Sequence, residues 1–262
     1  MNKIKVLNLY AGIGGNRKLW KNVDVTAVEI DENIADIYKK EFPEDEVIVT
    51  DAHQFLLEHF NEFDFIWSSP PCPTHSRMRH LKNFEEYKQV YPDMKLWQEI
   101  IFLKHWFKGN WVVENVISYY EPLLECYSSG NHYFWSNFFI PNLKKSKRGM
   151  VHISHKESVM FHQKEMNIDL SNLDKCQSFK EKILNNCVHP ELGLHVFNSA
   201  YKSKQKLLSE SHKSHTLASP TFPTEKAINM RYQETSEEVS QIAKATSDNA
   251  NINRNNKVRL QR

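Results

Sequence analysis

"IKVLNLYAGIGG", Ile4–Gly15, decides the fold of this chain. Its first seven residues, Ile4–Tyr10, are a short apolar run bounded by turn residues, which predicts a strand buried on both faces. Ala11–Gly15 is a glycine turn, and a short helix is expected through Trp20. A glycine turn between strand and helix sits where nucleotide-like ligands bind, because glycine lets the backbone approach a ligand closely. The spacing Gly12-x-Gly14-Gly15 is neither G-x-G-x-x-G nor a P-loop with its lysine. Alone, it fits a tight turn without ligand equally well.

The same alternation continues outward. Val23–Ile30 reads as a second strand, and Asp31–Phe42 as a helix opening on an N-cap aspartate. Glu46–Thr50 is a third strand, residues 52–60 a helix, and Phe63–Trp67 a fourth strand. Residues 84–107 are mainly helical with a break near Pro92, and Trp111–Val116 is a fifth strand. This order predicts an α/β fold with a parallel-type central sheet flanked by helices. Beyond it, His132–Ile140 reads as a strand and residues 141–172 as irregular, while 174–186 and 189–201 read as helices. From Lys202 the chain is polar and without apolar period, so 202–262 is expected to be a disordered appendage.

Composition bounds the function. Of 262 residues, 40% are apolar, enough for a core. No apolar run reaches membrane-spanning length, and the N-terminus lacks a signal-peptide pattern, so a cytoplasmic protein is expected. The four cysteines show neither C-x-x-C nor zinc spacing, which predicts free thiols and no metal. A net charge of +2 is too small to imply a nucleic-acid partner. Its distribution is uneven: residues 202–262 carry +5 and residues 1–201 carry −3.

Chemistry-bearing residues recur at the strand ends, where such sheets bind their ligands. Glu29 ends strand two, where a carboxylate can accept both hydroxyls of a ribose. Asp51 ends strand three and could bond an adenine amino group. Each alone also fits a helix cap or a solvated charge. Cys72 follows strand four in "WSSPPCPTHSRMRH", Trp67–His80, behind two prolines that stiffen its approach. It lies outside any apolar run, which points to a nucleophile, with His75, Arg77, Arg79 and His80 near enough in sequence to favour its thiolate. Glu114 ends strand five among Trp111, Val112, Val113 and Val116, where burial would favour a protonated carboxyl able to donate. A thiol and a carboxylic acid beside a nucleoside-type pocket suggest covalent chemistry on a base.

These segments resemble the DNA cytosine-5 methyltransferase family. "LNLYAGIGG", "VEID" and "TDAHQF" resemble its first three motifs. "SSPPCPTHS" resembles its Pro-Pro-Cys motif, and "VVENV", about forty residues later, its Glu-Asn-Val motif. The resemblance implies a Rossmann-like methyltransferase fold that uses S-adenosylmethionine, with contacts from Tyr10, Ala11, Gly12, Ile13, Gly14, Gly15, Glu29, Ile30, Asp51, Ala52, Pro70 and Asn186. It places the nucleophile on Cys72 and base recognition and protonation on Glu114. For the substrate it implies Ser76, Arg77, Asn115, His132, and the basic Lys144, Lys145, Lys147 and Arg148. The organisation expected is a catalytic core over 1–140, a small recognition region over 141–173, returning helices over 174–201, and the basic tail over 202–262.

Several positions depart from the family pattern. Pro73 stands where the family has glutamine. Gly130 and His132 stand where two arginines are usual, so His132 is the substitute for one of them. "NNCV", Asn185–Val188, is the nearest match to the Gly-Asn-Ser-Val motif. The short recognition region resembles the compact enzymes of bacteriophages and mobile elements. Double-stranded DNA is the expected partner, with a cognate restriction endonuclease of a restriction-modification system, or a complementing subunit, as the further one. The alternatives are a transfer-RNA cytosine-5 methyltransferase, which shares the same motifs, and a non-catalytic or half-enzyme subunit that binds cofactor or DNA.

Overall fold

The computed structural model describes residues 3–77, 91–143 and 154–210. Among them, seven strands form one sheet: β1 (Ile4–Leu9), β2 (Val23–Glu29), β3 (Glu46–Val49), β4 (Phe65–Ser68), β5 (Asn110–Val116), β6 (Tyr127–Ser129) and β7 (His132–Ser136). Their spatial order is β3-β2-β1-β4-β5-β7-β6. The first five strands are parallel, with registers such as Leu9↔Val28, Leu9↔Ser68 and Ser68↔Val113. β7 returns antiparallel to β5, and β6 pairs antiparallel with β7. The order reverses direction between β1 and β4, and the crevice outside the carboxyl ends at such a switch point is where ligands bind.

Helices cover both faces. α1 (Glu32–Glu41) opens on Asp31, whose side chain accepts from the backbone N–H of Asn33, as an N-cap aspartate should. α2 (Ala52–His59) and α3 (Lys95–Trp106) bury Leu56, Leu96, Ile100 and Leu103 against Leu7, Leu9, Ile66 and Val113. On the opposite face, α6 (Pro190–Glu210) lays Leu192, Val196 and Phe197 over Val6, Phe65, Trp67 and Val112. Trp20 joins that face, stacked on Phe197 with ring centroids 5.1 Å apart. Burying each such side chain is worth about 1.5–3 kcal/mol. Both faces of the central strands are therefore covered, which explains why they read as apolar runs rather than as alternation.

The structure corrects several expectations. Residues 15–19 form successive turns rather than a helix. There the backbone is tied sideways instead: Arg17 makes a two-bonded ion pair with Asp45, both bonds 2.9 Å. Residues 91–94, around Pro92, are not helical and α3 begins at Lys95, while the part of the expected helix over 84–90 lies outside the described residues. The strand expected over His132–Ile140 ends at Ser136, and β6 had no distinguishing pattern in its three residues. Within the stretch read as irregular, α4 (His155–Met166) forms behind a capping box of Ser154 and Glu157. α5 (Gln177–Asn185) is as expected, whereas α6 continues past Tyr201 to Glu210. Residues 211–262 lie outside the described residues. Among the described residues no helix is long and apolar enough to cross a membrane, and no group of three ligand-type side chains could hold a metal.

Candidate active site

The site is built at the carboxyl ends of β1, β2, β4 and β5. After β1 the chain turns through Tyr10 and Gly12, both at φ +55, and Gly14 at φ +80. Gly12 and Gly14 need glycine for different reasons. A Cβ on Gly14 would stand 2.2 Å from a ring carbon of Phe42 and 2.9 Å from Tyr38. A Cβ on Gly12 would meet nothing within 4 Å. Gly14 thus faces packed protein and Gly12 faces open space. Ile13 is 1% exposed and belongs to the core with Ile37 and Leu184, so it supports the turn from behind. Ala11 is buried and donates its N–H to Val28.

Glu29 connects this loop to the next strand end. One carboxylate oxygen accepts from the N–H of Gly12 at 2.9 Å, and the other from Ile30 and Asp31 at 2.9 and 3.0 Å. Three backbone donors leave a carboxylate about one acceptor position for a ligand hydroxyl. Beside it Ile30 is 68% exposed, an apolar surface at a strand end. Asp51 is the N-cap of α2, accepting from Gln54 N–H at 2.8 Å, with Lys95 at 3.8 Å. That backbone bond, chiefly, holds its carboxyl below the usual range. Ala52 is buried in the core beneath it. An open glycine cradle, a buried carboxylate and an exposed apolar side chain fit the glycosyl part of S-adenosylmethionine.

The motif-like segment after α5 backs onto the same loop. A Cβ on Gly15 would come within 2.5 Å of the Val188 carbonyl and 3.0 Å of Cys187. Gly193 rests as closely on the backbone of Asn16, and the Trp20 indole donates to the Gly193 carbonyl at 3.2 Å. Asn186 itself is exposed at the end of α5. The sequence reading missed what locks this loop to β1: buried Asn8 and Asn16 exchange side-chain bonds of 2.7 and 3.4 Å.

Cys72 lies past β4, half-buried, on a loop tied to the end of β5. Asn115 donates its side-chain amide to the Pro70 carbonyl at 3.0 Å. The His75 carbonyl accepts from Tyr119, Ser76 bridges to Ser118, and His75 Nδ1 lies 2.5 Å from the Tyr120 hydroxyl. Both His75 and Ser76 donate their N–H to the Cys72 carbonyl. Burial pushes the Cys72 thiol up, and the charge of Glu114 pushes it further. The expectation that His75 favours the thiolate is therefore not met. His75 is 1% exposed, burial drives its pKa down, and its Nε2 is buried with no hydrogen-bond partner among the described residues. Arg77 is exposed, while Arg79 and His80 lie outside the described residues.

Glu114 is 6% exposed, with Oε1 2.6 Å from His132 Nδ1. The register explains the pairing: His132 of β7 is opposite Val116, so it sits diagonally from Glu114 of β5 on the same sheet face. His132 therefore stands beside the carboxylate. Lys144, Lys145, Lys147 and Arg148 lie outside the described residues.

Residues 4–119 match the family model described as C-5 cytosine-specific DNA methylase. The human tRNA (cytosine(38)-C(5))-methyltransferase is 29% identical over 85 residues, which are 30% of this chain and 22% of that protein. The chain thus aligns with about a fifth of that curated relative's length. Among solved structures, a mutant of DNMT2 from Spodoptera frugiperda is 28% identical, over 44% of this chain and 36% of its own, with a TM-score of 0.31. A hypothetical protein from Thermus thermophilus is 17% identical over 51% of this chain and 74% of its own, with a TM-score of 0.36.

Proposed function

We propose that this chain, a member of the C-5 cytosine methyltransferase family through its residues 4–119, methylates carbon 5 of cytosine in DNA. The observation that carries the reading is the tie between the loop bearing Cys72 and the last residues of β5 that include Glu114, made by the Asn115 side chain on the Pro70 carbonyl. The cofactor of the family is S-adenosylmethionine, which when bound supplies an electrophilic methyl group.

Carbon 5 of cytosine is a poor nucleophile. Addition of the Cys72 sulfur at carbon 6, with a proton placed on the ring nitrogen by Glu114, converts the ring to an enamine nucleophilic at carbon 5. After methylation, the carbon-5 proton leaves to water, the thiolate is expelled and the ring-nitrogen proton returns to Glu114, which restores the ring. After burial, the negative charge of Glu114 is the second cause that holds the Cys72 thiol up. A thiolate on Cys72 is favoured when Glu114 holds a proton, which is the arrangement the addition needs. His132 holds the Glu114 carboxyl in place by the 2.6 Å contact. A stacked base is closed to attack at both faces, so the cytosine must leave the helix, at a cost of a few kcal/mol.

DNA is favoured by the family match over residues 4–119, which takes in both the Cys72 and the Glu114 segments. The similarity to an enzyme named for tRNA carries a second reading, methylation of RNA cytosine. Tritium transfer from labelled S-adenosylmethionine to duplex DNA and to tRNA, measured side by side, separates them. Incorporation into DNA with none into tRNA supports the proposal, and the reverse replaces it.

A further inference from the structure

Glu99 is a buried carboxylate for which the proposed chemistry has no use. It lies on α3, is 0% exposed, and accepts three hydrogen bonds from three different parts of the chain. The Tyr10 hydroxyl donates to Oε1 at 2.6 Å, His53 Nδ1 lies 2.9 Å from the same oxygen, and the Ser68 hydroxyl donates to Oε2 at 2.6 Å. Tyr10 begins the glycine loop in a left-handed conformation. His53 is two residues beyond Asp51, and Ser68 ends β4 four residues before Cys72. Lys95, one helical turn before Glu99, reaches Asp51 at 3.8 Å, so the same face of α3 contacts that strand end twice.

We infer that Glu99 is a positioning residue that couples the cofactor loop to the loop carrying Cys72. This rests on the methyl transfer proposed above. The neighbours of Glu99 on α3, Leu96, Ile100 and Leu103, show that apolar side chains fill this layer well. A buried charge is a poor device for stability alone, since a packed apolar residue of similar volume often does better. What three convergent bonds supply is a fixed relative placement of three strand ends. Displacing one reactant by about 1 Å can slow a reaction about 100-fold, so such placement bears directly on rate.

The test uses the full chain with Glu99→Gln and Glu99→Asp. Glutamine keeps one acceptor oxygen but presents an amide nitrogen where the other was, so at least one donor loses its acceptor. Two quantities are read: the Kd for S-adenosylmethionine by calorimetry without nucleic acid, and the rate of covalent trapping on 5-fluorocytosine DNA at saturating cofactor. Glu99→Gln is expected to worsen both by about 10–100-fold while the melt stays cooperative, with Glu99→Asp in between. A lower melting temperature with both quantities unchanged makes Glu99 merely structural and overturns the inference. Where Glu99→Gln does not fold, Tyr10→Phe and Ser68→Ala each remove one bond. Coupling requires crossed effects of about three- to tenfold: Tyr10→Phe slows trapping at saturating cofactor, and Ser68→Ala weakens cofactor binding. Effects confined to each residue's own loop also overturn it. Wild-type chain that binds cofactor but never traps DNA or RNA refutes the methyl transfer instead. The effect of Ser68→Ala on Kd is still readable in that case.

Discussion

Alanine at Gly12 and at Gly14 should separate binding from folding within one loop. Both residues have positive φ, +55 and +80, so a Cβ at either costs about 1–2 kcal/mol of backbone strain. At Gly12 nothing lies within 4 Å of the new carbon, and strain is the whole structural cost. At Gly14 the carbon would stand 2.2 Å from Phe42 and 2.9 Å from Tyr38. Those rings are wedged between α1 and β2, with Tyr38 fully buried and donating to Asp45 at 2.9 Å. Overpacking there adds about 1–3 kcal/mol, for a total of about 2–5 kcal/mol. At about 2–4 °C per kcal/mol for a chain of this size, Gly14→Ala should melt several degrees below Gly12→Ala. Calorimetric titration with S-adenosylmethionine should give the opposite order of harm for ligand contact. Gly12→Ala, although folded, should bind at least about tenfold more weakly, because its methyl enters the open space beside Glu29. Unchanged affinity in folded Gly12→Ala would show that this space is not the cofactor's, and equal melting temperatures would refute the packing argument.

Glu29→Ala strands the N–H groups of Gly12, Ile30 and Asp31, so cofactor affinity and melting temperature should both fall; affinity unchanged in a folded variant removes Glu29 from the site. The four thiols should alkylate in a set order, followed by mass spectrometry. Exposed Cys176, whose thiol is lowered chiefly by Ser178, should react first, and Cys187, pushed by burial up to about 12, last. Cys72 ionises above the ordinary thiol range, so its alkylation should rise through alkaline pH, and Glu114→Gln should shift that rise to lower pH by removing the second cause of the elevation. A Cys72 profile indifferent to Glu114→Gln would separate the two loops electrostatically. Removing residues 211–262 should leave turnover at saturating DNA intact and make the salt dependence of DNA binding shallower, as expected when basic residues release fewer counterions.

The parallel half of the fold was legible because buried parallel strands are short apolar runs, and Ile4–Leu9, Val23–Glu29 and Asn110–Val116 are of that kind. Strand-end positions were legible for the same reason: Glu29 ends a strand, Asp51 and Cys72 follow one, and Glu114 lies two residues before the end of β5. The antiparallel end was less so, since the three residues of β6 carry no period and owe their pairing to the Gly130 turn, φ +62. α4 announced itself chiefly by Ser154 and Glu157; three of its four apolar residues, Val159, Met160 and Phe161, are consecutive, and only Val159 and Met166 share a helical face. The buried bonds escaped entirely. Nothing in sequence says that Asn8 meets Asn16, that Glu99 meets Tyr10 and Ser68 across 89 and 31 positions, or that His75 is buried against Tyr120. Such pairings are created by the sheet order and leave no local pattern.

The proposed methyl transfer stands on Cys72 as the nucleophile toward cytosine in DNA. Duplex DNA carrying 5-fluorocytosine, incubated with the full chain and S-adenosylmethionine, tests this directly, because fluorine cannot leave as the carbon-5 proton does. The result expected is a denaturant-stable protein–DNA adduct whose mass maps to the peptide containing Cys72, absent from Cys72→Ser. An adduct that persists in Cys72→Ser, or one that forms with 5-fluorocytosine RNA and not with DNA, contradicts it.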